Sequence, residues 1–134
     1  MSINFETAEE MDTHELVHFV TYPTRFALIN SILQHPKQLP SMYELEELNS
    51  DVSSGTVYKH VQKLIDAGIV NEVALYEQRR QDYPWKFYGL TEDGHKLLKD
   101  HNLLDAASSP IYEMISDKPE KMIRYENAPR PSDL

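Results

Sequence analysis

The hydrophobic period of this chain changes at Gly68, and that change bounds the folds open to it. From Thr24 to Ala67 apolar residues recur at helical spacing. From Ile69 they give way to two short β-branched and aromatic runs, IVNEVALY (Ile69 to Tyr76) and WKFYGL (Trp85 to Leu90), joined by the polar stretch EQRRQDYP. Runs of this kind across a polar linker predict a hairpin with a long loop. Helical spacing then returns in EDGHKLLKDHNLL, with Thr91 as its cap.

Upstream of Gly68 the helix signals are local and specific. The spacing predicts a first helix over Thr7 to Val20, with Glu9, Glu10 and Asp12 near its positive end and Leu16, Val17 and Val20 on one face. Pro23 separates it from a core helix over Thr24 to Gln34, which Pro36 closes. Ser41 followed by Glu44 is the reciprocal capping pattern of a short helix carrying Leu45 and Leu48. After Asn49 to Asp51 and Val52, Ser53 is the expected N-cap of a helix that runs to about Ala67, with Gly68 as its C-terminal cap. Beyond Asp105, apolar residues at Ile111, Tyr112, Met114, Ile115, Met122 and Ile123, interrupted by Pro119, predict one or two helices, and the end NAPRPSDL reads as disordered.

The order helix, helix, short helix, helix, hairpin, helix predicts a mainly α fold with a small β-hairpin. At 134 residues the chain is expected to be one folding unit, too short for a DNA-binding domain plus a separate ligand-binding domain. Its expected parts are an N-terminal dimerisation helix (1–21), a central domain (22–101), and a C-terminal helical dimerisation segment with a flexible tail (102–134), because Leu16, Val17 and Val20 at one end and Ile111, Tyr112 and Ile115 at the other are more apolar than the central core needs to cover itself. No apolar run approaches the ~20 residues that span a bilayer, and MSINFETAEEMD lacks a secretory signal, so a cytoplasmic protein is expected. With no cysteine, disulfides, thiolate metal sites and thiol redox switches are excluded.

The helix after Ser53, SSGTVYKHVQKL, carries the strongest functional signal. Stepping about 100° per residue puts Val57, Val61, Leu64, Ile65 and Gly68 on one side and Gly55, Thr56, Lys59, Gln62 and Lys63 opposite. Tyr58 and His60 fall at the borders. Ser53 and Ser54 stand at the N-terminal end, where backbone N–H groups can meet a phosphate. Lysine, glutamine and hydroxyl side chains suit base edges and phosphates of a major groove, although any amphipathic helix has a polar face of this kind.

The run SSGTVYKHVQKLIDAGIV resembles the recognition helix of winged helix-turn-helix transcription factors of the PadR and ArsR type. FYGLTEDGHKLL resembles the end of their wing and the next helix, and YPTRFALINSIL their first core helix. The resemblance spans roughly Tyr22 to His101. It implies a winged helix-turn-helix fold with additional N- and C-terminal helices, acting as a homodimer on a double-stranded DNA operator. Ser54, Thr56, Tyr58, Lys59 and Lys63 would reach the major groove or its walls, and Arg79 and Arg80 in the wing the adjacent minor groove or backbone. A solvated loop is the competing reading of that arginine pair. The acidic exterior and the ending RYENAPRP are similar to haloarchaeal winged-helix regulators, including one of oxidative stress, a role that would have to work without thiols.

Net charge −9 argues against DNA, and its distribution argues back. Residues 53–88 hold five Lys or Arg against four Asp or Glu, a balance of +1 that leaves −10 for the rest. Above ~1 M salt the Debye length is only ~3 Å, so distant acids hardly matter there and local contacts decide. The alternative class is a winged-helix module that binds protein without reading DNA. His14 and His18 at i, i+4, with His95 and His101 later, raise a metal site of imidazole and carboxylate ligands, but exposed helical histidines are common and no metal, cofactor or small-molecule ligand is expected. No phosphate loop or nucleophile motif points to an enzyme.

Overall fold

The computed structural model describes residues 11–79, 82–107, 115 and 117–131. Among them are six α-helices and one two-stranded antiparallel hairpin. Asp12 caps α1 (Thr13–Val20) by accepting from the Glu15 N–H at 2.8 Å. The helix thus begins well after Thr7, because Asp12 serves as cap and not as a first-turn acid; Glu9 and Glu10 lie outside the described residues. Helix α2 (Pro23–Gln34) starts on Pro23 itself, which has no N–H to lose at the first helical position.

Helices α3 (Met42–Leu48) and α4 (Ser54–Asp66) form the helix-turn-helix, each under its expected serine cap. Ser41 and Glu44 make the full capping box. At the far end of α4, Gly68 takes φ 75°, and the Ile69 and Gly68 N–H groups bond Leu64 O and Ile65 O, the arrangement that closes a helix on a left-handed residue. Strand β1 (Val70–Ala74) follows at once and pairs with β2 (Lys86–Leu90) in the register Val70↔Leu90 to Ala74↔Lys86.

Thr91 caps α5 (Glu92–Asp100), whose end falls short of Leu104 because Asn102 at φ 56° repeats the same closure, with Leu103 N–H on Leu98 O. Gly94 lets α5 approach the α4–β1 turn: a Cβ there would stand 2.4 Å from Ile69 O. The core lies between these layers. Leu28, Ile29 and Ile32 of α2 and Leu45 of α3 meet Val57, Val61 and Leu64 of α4, with Val70, Tyr88 and Leu98 closing it below.

The C-terminal segment departs most from its expectation. Of the one or two helices expected here, α6 (Glu120–Asn127) forms directly after Pro119, and residues 108–114 and 116, where the other would fall, lie outside the described residues. The tail, expected to be disordered, is packed as far as Pro131, and 132–134 lie outside the described residues. Arg130 is fully buried. Its Nε donates to Leu39 O at 2.9 Å, Nη1 to Tyr125 O and Ala128 O, and Nη2 to Glu44 Oε1 at 2.7 Å, while the guanidinium lies over the Phe87 ring. The same Glu44 oxygen accepts from the Ser41 N–H and hydroxyl. Lys37 N–H donates to His35 Nδ1, which leaves the ring proton on Nε2 to be given to Glu44 Oε2 at 2.6 Å. Burial alone would raise the Glu44 carboxyl; the His35 hydrogen bond, the Ser41 N–H and the Arg130 charge together hold it below its ordinary 4.5. The capping glutamate of α3 is therefore also the anchor of the C-terminal segment.

Candidate nucleic-acid interface

The N-terminus of α4 is open. Ser53 Oγ accepts from the Thr56 N–H and shares a 2.8 Å hydrogen bond with Thr56 Oγ1, so these two hydroxyls are engaged in capping. The N–H groups of Ser54 and Gly55 at the first two helical positions have no intrahelical acceptor, as at any helix start. Both residues are exposed, and a Cβ at Gly55 would meet nothing within 4 Å. An anion can come close to this end.

Along the helix, Lys59 and Tyr58 are exposed, Gln62 and Lys63 half-buried, and Val57, Val61 and Leu64 buried, as the helical period requires. His60 is nearly enclosed, at 9% exposure. Its Nδ1 lies 3.3 Å from Arg25 Nη1 and its ring 5.5 Å from that of Tyr22. Burial first, then Arg25, Lys63 and Lys59, pushes the imidazole below its ordinary 6.5. Lys63 is lowered in turn by burial, then by Lys59 and Arg25. These cations share one patch.

Arg25 was not among the residues expected at this surface. It lies in the first turn of α2, with its Nε donating to Phe19 O at 2.7 Å and its guanidinium over the rings of Phe19 and Tyr22, 4.1 and 4.4 Å from their centroids. The sequence did carry a signal for it: Arg25 is the one Lys, Arg, Asp or Glu between Glu15 and Lys37. Among the described residues neither Arg25, Lys59 nor Lys63 has a carboxylate at ion-pair distance.

The wing is more built than a solvated loop. Tyr76–Gln78 makes a 3-10 turn closed by Arg79 N–H on Tyr76 O, and buried Gln78 donates from Nε2 to Pro84 O and Pro129 O, tying the loop to the C-terminal segment. Arg79 is exposed, and Arg80 lies outside the described residues. Trp85 has Lys86 Nζ over its ring, 4.9 Å from the centroid, and the ring of Tyr76 tilted against it at 5.6 Å. Between α1 and α2 a cleft of ≈ 370 Å³ is lined by Met11, His14, Glu15, His18, Phe19 and Arg25. Among the described residues no group of three or more His, Asp or Glu is placed to hold a metal ion, and no helix is long and apolar enough to cross a membrane.

The architecture is matched by the structure of a protein with a GntR superfamily winged-helix-turn-helix domain from Halomicrobium mukohataei. The two are 28% identical, the match covers 87% of this chain and 82% of that one, and the TM-score is 0.77. No family model and no curated protein matches the chain. The fold is thus a winged helix-turn-helix, which suggests a DNA-binding regulator.

Proposed function

We propose that the protein is a sequence-specific transcriptional regulator that binds double-stranded DNA as a homodimer, with α4 in the major groove and the wing on the flanking minor groove or backbone. The observation that carries this is the open N-terminus of α4 continued by Lys59, Gln62 and Lys63, a cationic face without carboxylate partners among the described residues, on a chain of net charge −9. Ser54, Gly55 and Thr56 would approach the phosphates or base edges, Tyr58 and Lys59 the groove, and Arg79 and Arg80 the flank. His60 acts from beneath this surface. The PadR- or ArsR-like character and a role in stress response rest on the sequence likeness of SSGTVYKHVQKLIDAGIV and of the chain's acidic exterior.

The dimer is proposed through α1 and the segment after α5. Leu16 and Val17 are only half-buried against the chain's own core, as is Phe19, whereas Val20, expected on the same face, is fully buried in that core and unavailable to a partner; Met122 is likewise buried, Ile123 keeps 46% exposure and Ile115 is half-buried. Ile111 and Tyr112 lie outside the described residues.

Fluorescence anisotropy against pooled genomic DNA, at low and at molar salt, tests the reading. Wild type should retain a saturable fraction at molar salt, and Lys59→Ala with Lys63→Ala should lose it with the fold intact, since neither belongs to the core. Equal binding by both proteins refutes the placement of α4. Light scattering under the same salt should give the mass of a dimer.

A further inference from the structure

Arg25 and His60 are built with more care than a solvated surface needs. The guanidinium is held over two aromatic rings and by hydrogen bonds to Phe19 O and His60 Nδ1. Of its five N–H groups those two bonds use two, so three remain to give. The hydrogen bond from Arg25 requires His60 Nδ1 to be an acceptor, and the imidazole, held below its ordinary value, stays in the neutral form that supplies one. Three cations, Arg25, Lys59 and Lys63, then stand together, and among the described residues no carboxylate pairs with any of them. Such a cluster is satisfied by a compact anion.

Its position along α4 indicates which anion. His60 lies six residues into the helix from Ser54, roughly 9 Å at 1.5 Å per residue, and the major groove is about 8.5 Å deep. With the helix N-terminus at the bases, Arg25 beside His60 stands at the height of the groove wall.

We infer that Arg25 is a backbone clamp, giving its free N–H groups to a phosphate at the edge of the groove that α4 enters, and that His60 is the positioning residue that fixes its guanidinium. This rests on the proposed DNA reading by α4. The clamp adds a contact from α2 and fixes the depth of α4, but reads no base.

The test uses the full chain and a fluorescein-labelled duplex selected by wild type from a randomised library. Failure of wild type to select any duplex refutes the DNA reading itself. Given a duplex, Arg25→Ala should weaken binding on the order of tenfold and reduce the slope of log K against log salt by about 0.9, the share of one phosphate. The loss should be equal across sequence variants of the duplex. His60→Asn, which keeps an acceptor near the Nδ1 position, should bind like wild type, whereas His60→Ala should fall toward Arg25→Ala and add little in that background. Urea unfolding of each variant checks that the fold persists. A wild-type slope in folded Arg25→Ala, with Lys59→Ala reducing the slope as expected, overturns the clamp and leaves the cluster to an acidic protein partner. Equal loss in His60→Asn and His60→Ala overturns the positioning role.

Discussion

Replacing Arg130 with alanine should cost the fold about 3 kcal/mol, and the structure sets that figure from both sides. Arg130 and Glu44 are both fully buried and 2.7 Å apart. Removing one member of such a pair strands the other charge, at about 3–5 kcal/mol. Glu44 would keep donors from Ser41 and His35, and the freed C-terminal segment can lift to admit water, so the lower end applies. Urea unfolding followed through Trp85, the single tryptophan, measures the change. If the segment detaches before the rest unfolds, the dependence on urea should also become shallower, because less surface remains to be exposed. Pairing Arg130→Met with Glu44→Gln should be less harmful than the sum of the two single changes. A loss for Arg130→Ala within about 0.5 kcal/mol, the range of an ordinary surface change, refutes the assignment of the buried pair as a structural anchor.

Glu44 holds a depressed carboxyl, so its contribution is present above its ordinary 4.5 and lost as pH falls through the lower folded value; Glu44→Gln should flatten wild type's loss of urea stability in that acid range, and an unchanged slope counts against it. Gly55→Ala meets open space and gains helix propensity, so thermal stability should hold or rise by up to about 1 kcal/mol while DNA affinity falls, because the methyl occupies the space through which α4 approaches the DNA. Gly94→Ala forces a Cβ onto Ile69 O and should cost about 1–3 kcal/mol in the same urea assay. Arg79→Ala with Arg80→Ala should weaken binding and flatten any preference for A·T-rich flanks; equal weakening on all flanks would leave the wing as a backbone contact.

The sequence was most legible where structure is made by neighbours in the chain. The caps Ser41, Ser53 and Thr91 and the left-handed Gly68 are each answered within a turn, by an N–H three residues on or a carbonyl just behind, so residue type and spacing suffice. The order of the helices and the hairpin followed from those local rules; the helix-turn-helix reading came with the family resemblance of the Ser53 to Val70 run. Partners distant in sequence left no such trace. His60 stood at a border by periodicity alone, and its burial is decided by Arg25, 35 residues earlier. The tail read as disordered because its proline-rich composition forms no helix, and nothing near Arg130 announces the acid 86 residues before it. Asp12 shows the opposite error: three acids before an apolar run suggested a longer helix, and its own side chain marks the start.

The Arg130 clasp also has a place in time. Its contact to Glu44 closes 86 residues of chain, against 16 for the Tyr88–Glu72 contact across the hairpin, a difference of about 1.5 kcal/mol in loop entropy alone. Contacts that far apart carry the larger closure cost, so this one is expected to form after the helices and the hairpin. An interaction absent from the transition state leaves the refolding rate alone and acts on the rate of escape. The clasp therefore governs how long a folded molecule survives, while the speed of reaching that state is set by the helices and hairpin that carry the reading surface.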